Sequence, residues 1–301
     1  MPARPRVALI INPVAGVGAT PRRAALRADA ASDLLASLHV DAEVHITVRA
    51  GHGRELARAA VERGAATVIA WGGDGTVNEV ASAIVGTQAA LGVIPAGSGN
   101  GLARMLRMPS TAARALPRIV HGGVARIDVG RIDGELFVNL AGVGFDAHVA
   151  AAFASIGHAR RGFLGYASVV LRELRWYRSA TYAIELDPPA EKVSRRAFVV
   201  SFANGRQWGN GAVIAPGARL DDGVLDAVVV EDRGRRAVLA ALPALFTGRI
   251  ARVAGVTIRQ VRAARVTGPA PLAFHADGEP RMAPGGSVRI EICPGALRVQ
   301  G

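Results

Sequence analysis

Apolar and polar positions alternate in blocks along the first part of the chain. RVALIIN (6–12) is an apolar run of strand length, followed by the glycine loop PVAGVGAT. Pro21–Leu38 carries helical spacing, VDAEVHITV (40–48) reads as strand, Gly53–Arg63 as helix, ATVIAW (66–71) as strand and Val77–Val85 as helix. LGVIPAG (91–97) adds a fourth strand, with helices expected near Leu102–Leu106 and Thr111–Val120. Strands that alternate with helices predict a mostly parallel sheet covered on both faces.

The pattern changes near Arg126. ARIDVGRIDGELFVNLAGVGF holds alternating segments around an Asp-Gly hairpin signal. TYAIELD, RRAFVVSFAN, GVLDAVVVED, ARVTG and SVRIEICP are likewise short and β-rich, and helical patterns interrupt them only at Gly162–Tyr177 and Arg235–Leu245. This part predicts a mostly antiparallel sandwich or barrel. A chain of 301 residues, half of them apolar, is long enough for two cores. The expected division is an α/β domain over 1–126 and a β-rich domain over 127–301, with the final segment ALRVQG a candidate to return to the first.

Composition narrows the function. The net charge of +12 divides into about +6 on each side of Arg126, so no basic tail stands out. It fits an anionic partner, and equally an arginine-rich composition without functional meaning. Lys192 is the only lysine and sits in the polar stretch PPAEKVSRR, which excludes a phosphate loop or protein-kinase strand built around a lysine. Cys293 is the only cysteine, so there is no internal disulfide and no multi-cysteine zinc site. No apolar run approaches the ~20 residues that span a bilayer. MPARPRVALIINP runs directly into a strand without a leader pattern, and the expectation is a cytoplasmic protein.

The candidate chemistry lies in AWGGDGTVNEV (70–80). Ordering three glycines around one aspartate is costly, and the turn stands where a strand ends and a helix begins. Ligands of open α/β sheets collect at that edge, where backbone N–H groups and a helix N-terminus face an anion. Thr76 can cap the helix or donate to a phosphate oxygen, while Asp74 suits a metal, a proton or a second substrate. A plain helix cap is the alternative. Asn12–Gly18 and Pro95–Gly101 place glycine loops at equivalent edges, and neither fits GxGxxG.

IINPVAG, GGDGTVNEV and IPAGSGNGLAR resemble the nucleotide-lobe motifs of the diacylglycerol kinase catalytic family. FVNLAGVGFDAHV, FANGRQWGNGAVIAPGARLDDGVLDAVVV and FHADGEP resemble its lipid-lobe motifs, in order and over nearly the whole chain. The resemblance implies a two-domain lipid kinase fold: an α/β nucleotide-binding lobe with a three-layer, mostly parallel sheet, then a mostly antiparallel β-sandwich lobe. It implies that Asn12, Thr47, Gly72, Gly73, Asp74, Gly75, Thr76, Val77, Asn78 and Ser98 surround ATP. Ser98 stands where the family often has threonine, and a hydroxyl is kept. With no phosphate-loop lysine, charge neutralisation falls to Mg²⁺, helix dipoles and arginine.

Asp277 and Glu279, in HADGE, form a second carboxylate cluster, and residues two apart in an extended segment face one side. By resemblance Glu279 is the proton acceptor of bacterial relatives, whereas sphingosine kinases favour the position of Asp74, so both stay open as the base. The rival is an ordinary Asp-Gly turn. The resemblance also implies a separate magnesium site from the Asp222 carboxylate and the carbonyls of Arg219 and Val224, with a plain turn as its rival. Asp146 matches the headgroup-reading residue of sphingosine kinases; a loop-closing hydrogen bond is its alternative. Arg160–Tyr166 and Arg172–Arg178 mix basic, aromatic and apolar residues, which suits peripheral docking on an anionic bilayer or an ordinary solvated helix face.

The expected function is an ATP- and Mg²⁺-dependent kinase acting on a lipid hydroxyl at the membrane surface, without nucleic acid as a partner. Diacylglycerol is the default acceptor, with sphingoid base, ceramide and phosphatidylglycerol open; a homodimer is also open. The rivals are an NAD kinase-like soluble kinase, a non-catalytic anionic-membrane or nucleic-acid binder, and a regulatory nucleotide-binding module.

Overall fold

The computed structural model describes residues 6–16, 20–155, 163–188, 190–209 and 211–301. Val17 and Gly18 of the first glycine loop, Arg160, Arg161 and Gly162 of the basic stretch, and Asn210 lie outside the described residues, as do the side chains of Phe163 to Tyr166. The chain divides into two units, one of residues up to Ile127 with Gly295–Gly301, the other Asp128–Pro294. Both boundaries fall inside strands.

In the first unit, strand and helix alternate: β1 (Arg6–Ile11), α1 (Pro21–Ser37), β2 (Asp41–Ile46), α2 (His52–Glu62), β3 (Thr67–Gly72), α3 (Asp74–Ile84), β4 (Ala90–Pro95), α4 (Gly101–Met105) and α5 (Ala112–His121). The strands form a parallel sheet in the order β2-β1-β3-β4. Leu9, Ile11, Ile69 and Ile94 of the sheet pack on Leu35 of α1 and on Leu116 and Ile119 of α5, all fully buried. Such continuous apolar strands are what a sheet covered on both faces requires. Helix α1 starts where its sequence says it should: the Thr20 hydroxyl accepts the Arg23 N–H (3.2 Å) and Pro21 stands in the first turn.

The second unit contains β5 (Val124–Ile132, which enters it at Asp128), β6 (Glu135–Phe137), β7 (Leu140–Gly144), α6 (Phe145–Ser155), α7 (Phe163–Trp176), β8 (Ala180–Asp187) and β9 (Glu191–Ala203). It continues through β10 (Gln207–Gly209), β11 (Ala212–Val213), β12 (Leu225–Glu231), α8 (Arg235–Phe246), β13 (Val256–Val261), β14 (Ala263–Thr267), β15 (Leu272–Ala276), β16 (Glu279–Ala283) and β17 (Ser287–Gln300). Its pairings are antiparallel, running β16-β15-β7-β9-β8-β14-β17, with β12 joining β9 to β13. The fold class is thus a parallel α/β unit followed by an antiparallel β-sandwich unit. The last residues of β17 lie parallel to β4, Arg298 against Ala90 and Val299 against Leu91, and so complete the first sheet.

Two local expectations fail. Phe145–Ser155 is a helix where the sequence reading places no helix before Gly162. Its alanines favour a helix, but Phe145, Asp146, Ala147 and Val149 are all buried, so no polar face marks the period. Helix α3 begins at Asp74 instead of Val77, with Gly73 as its N-cap, so Asp74, Gly75 and Thr76 form its first turn.

Candidate active site

Four loops of the first unit follow the carboxyl ends of parallel strands, and side chains from their own motifs bind them together. After β1, Asn12 holds its loop by accepting the Val14 N–H (3.0 Å) and donates from Nδ2 to the Thr76 hydroxyl (2.9 Å). After β2, the Thr47 N–H donates to the Ile11 carbonyl (2.9 Å) and the threonine is buried. The Glu79 carboxylate of α3 accepts the N–H groups of Gly51 (2.8 Å) and Gly53 (2.9 Å), anchoring that second loop. After β4, Asp74 accepts the N–H of Asn100 (2.8 Å) on one oxygen and of Gly101 (2.7 Å) on the other.

The glycines answer mainly to this packing. A Cβ on Gly72 would stand 2.4 Å from the Thr76 hydroxyl, and one on Gly97 would stand 2.7 Å from the Gly73 Cα. Neither Gly72 nor Gly73 has positive φ. Glycine at 72 and 97 is what lets strand, helix and neighbouring loop approach one another's backbones. Helix α3 carries no side-chain cap bond at Gly73, which leaves its first N–H groups facing the carboxyl edge of the sheet.

Asp74 acts as a strut. Burial pushes its carboxyl up from the ordinary range, against the lowering effect of the Gly101 and Asn100 donors and the Arg104 charge. Val77 and Asn78 are buried in α3, and the Asn78 side-chain Oδ1 accepts from the Ser82 hydroxyl (3.3 Å). Ser98 is exposed. Asn100, absent from the sequence-based candidates, closes its loop as a ring with Gly97, accepting its N–H (2.8 Å) and donating to its carbonyl (2.6 Å). Glu79 was also missed. Both lie inside the quoted motifs, and polar residues beside glycines that need anchoring were the available signal.

In the second unit the carboxylates divide. Asp277 and Gly278 both have positive φ and form the two-residue turn between β15 and β16, so the extended-segment argument for a shared face fails. The Asp277 carboxylate accepts the N–H groups of Val138 (2.8 Å), Asn139 (2.9 Å) and Leu140 (3.0 Å). Its own N–H returns to the Leu140 carbonyl (2.8 Å). Glu279, first in β16, is exposed. Asp277 fixes the turn that presents Glu279.

Asp146 opens α6, with its Oδ1 accepting the Ala147 N–H (2.8 Å) and its Oδ2 the Ser201 hydroxyl (2.5 Å). His275 Nε2 lies 3.2 Å from the same Oδ2. The His275 Nδ1 accepts the Gly278 N–H (3.1 Å), which leaves Nε2 as the ring nitrogen nearer the carboxylate. All three residues are buried. Ser201 and His275 were missed by the sequence reading, although a hydroxyl inside the apolar run RRAFVVSFAN was a visible anomaly.

The Arg219–Val224 turn has Gly223 at φ 72° and an exposed Asp222 whose Oδ1 accepts the Val224 N–H (3.3 Å). Buried Asp128 of β5 supports it by accepting the Gly223 N–H (2.7 Å). Burial and the Asp222 charge push the neighbouring Asp226 carboxyl up to about 6. One carboxylate with backbone carbonyls and water is a donor set that fits Mg²⁺, and the crowding of Asp222 on Asp226 is what a cation would relieve. Among the described residues no group of three or more His, Cys, Asp or Glu could hold a metal. No described helix is long and apolar enough to cross a membrane.

Comparison with known proteins finds two successive family matches along the chain. Residues 6–132 match the model of the diacylglycerol kinase catalytic domain, and residues 139–301 match the YegS C-terminal NAD kinase beta sandwich-like domain. A Mycobacterium tuberculosis protein named "Diacylglycerol kinase" is 31% identical over 300 residues, 98% of this chain and 94% of that one. A Chromohalobacter salexigens protein named "Probable lipid kinase YegS-like" is 35% identical over 191 residues, 62% of this chain and 61% of its own length. A Bacillus anthracis diacylglycerol kinase crystal structure shares the fold, with TM-score 0.70 and 21% identity over 98% of this chain and 96% of that one.

Proposed function

The chain belongs to the diacylglycerol kinase catalytic-domain family, and from that premise we propose that it moves the γ-phosphate of ATP onto a hydroxyl of a membrane lipid, with diacylglycerol as the acceptor. The observation that carries the reading is the β3–α3 turn. An uncapped helix N-terminus stands at the carboxyl edge of a parallel sheet, inside four loops braced by Asn12, Asp74, Glu79 and Asn100. Such a frame presents backbone donors to an anion without reorganising, which is how a site lacking a lysine can hold a triphosphate.

In this reading Asn12, Thr47, Gly72–Asn78 and Ser98 line the nucleotide, and Asp74 keeps the third and fourth loops in register. Glu279 is the proton acceptor for the attacking hydroxyl, because its carboxylate is exposed while that of Asp277 is committed to three N–H groups. Asp146 orients the β7–α6 turn, and its headgroup role depends on that turn opening. Magnesium, when bound, supplies charge neutralisation at the phosphates and, at Arg219, Asp222 and Val224, a structural tie.

The test incubates purified protein with ATP, Mg²⁺ and a mixed lipid extract, with NAD as a soluble competitor, and reads phosphorylated products by mass spectrometry. Phosphatidic acid is the expected product; phosphorylated NAD alone, or no lipid product, overturns the reading. Independently, Mg²⁺ is expected to raise the thermal midpoint of the wild type, and Asp222→Asn to remove that rise, since a ligand binding only the folded state stabilises it. An equal rise in both proteins would dismiss the Arg219–Val224 site.

A further inference from the structure

Helix α8 of the second unit is apolar on two sides. Val238, Leu242 and Leu245 follow helical spacing and pack into the unit's core. Leu239, Pro243 and Phe246 repeat that spacing one residue later and point outward, with Leu239 46% and Phe246 54% exposed. A water-facing helix has no use for a second apolar ridge. Residues 233–252 contain five arginines and no carboxylate. The acids just before them are neutralised within the fold: Glu231 meets Arg195 (3.5 Å) and Asp232 meets Arg196 (3.2 Å).

Beside this helix is a concave feature. A cavity of about 360 Å³ lies where the end of α7 meets the start of α8, lined in part by Tyr177, Arg178, Ser179, Arg196, Asp232 and Arg235. Arg196 is paired with Asp232, whereas Arg178 and Arg235 make no ion pair among the described residues. Two guanidinium groups that line one cavity without an ion pair suit a phosphate, which they can grip through paired N–H donors.

We propose that the α8 face docks on an anionic phospholipid bilayer, its outward ridge entering the acyl boundary while a headgroup phosphate sits between Arg178 and Arg235. An apolar ridge flanked by arginines is the pattern of helices that lie in a membrane interface. A second copy of the chain is a poor occupant, because it would bring the same basic face and a net charge of +12. The proposal rests on the lipid-kinase reading only in that such an enzyme meets its acceptor at a membrane; docking of the α8 face involves neither ATP nor the catalytic carboxylates.

The experiment sediments the full chain with vesicles of phosphatidylcholine alone or with added phosphatidylglycerol, in the absence of nucleotide. Binding is expected only to the anionic vesicles and to weaken with salt. The double variants L239E/F246E and R178E/R235E are each expected to lower the partition coefficient on the order of tenfold or more. Their thermal midpoints and their activity on detergent-dispersed diacylglycerol should stay at wild-type values. A tryptophan placed by F246W should be quenched by brominated lipid beyond the quenching of the parent protein. Equal binding to neutral vesicles, binding unaffected by both double variants, or loss seen only with L171E/W176E on α7 would overturn the proposal. So would self-association that L239E/F246E abolishes. Anionic-vesicle binding without transfer to any dispersed lipid would sink the kinase reading and leave this one standing.

Discussion

At the scale of single residues, the acidic groups that look alike in sequence have opposite structural positions. Asp277 satisfies three backbone N–H groups and Glu279 is exposed. Glu279→Gln is therefore expected to leave the unfolding midpoint unchanged while reducing kcat about 10²-fold or more. Asp277→Ala should instead destabilise by about 2 kcal/mol or more, since it strands donors that the turn holds away from water. Calorimetry and steady-state kinetics on the two variants separate the roles, and a normal midpoint for Asp277→Ala would refute the strut.

Asp74 gives a pH signature. Its carboxyl is raised in the folded state because burial outweighs the Gly101 and Asn100 donors. The folded protein then holds the proton more tightly than the unfolded chain, so this group's contribution to stability is full at acid pH and is lost as pH rises through the folded value. Asp74→Asn should flatten the fall in stability on the alkaline side of the ordinary carboxylate range. Denaturant titrations at stepped pH read this directly, and parallel profiles for the two proteins would contradict it.

At the scale of elements, the loops depend on backbone proximity more than on conformational freedom. Gly97→Ala puts a Cβ 2.7 Å from the Gly73 Cα and 3.1 Å from the Asn100 Oδ1, and the tighter of the two contacts is with backbone, which cannot swing away. A loss of about 1–3 kcal/mol is expected, of the kind seen for overpacking, together with weaker nucleotide binding in a fluorescence titration. The strands and helices of the first unit were legible to within a few residues because a twice-covered sheet writes itself as unbroken apolar runs. Helix α6 was not legible, since Phe145, Asp146, Ala147 and Val149 are all buried and leave no polar face to betray a helical period. The Asp277–Gly278 turn was readable as Asp-Gly, and alternation does not carry across it, because the chain reverses there instead of extending.

At the scale of the molecule, the chain passes between its units inside β5 and β17, and the last seven residues belong to the first unit. Deleting 295–301 removes the strand segment beside β4, exposing an edge of buried sheet. The truncated protein is expected to lose ATP binding and to melt earlier, with amide exchange rising first in β4; unchanged exchange there would show that the segment is dispensable. The linear order of residues was enough to establish the family, the two fold classes and the motifs, because periodicity and loop composition are local properties and the motifs keep their order. What the sequence could not convey is which polar atoms meet: that Glu79 holds the second loop, that Asn100 and Asp74 lock the fourth, that Asp277 is bound by three amides while Glu279 is exposed, and that α8 turns a second apolar ridge outward. Those facts depend on distances between residues far apart in the chain, and only folding sets such distances.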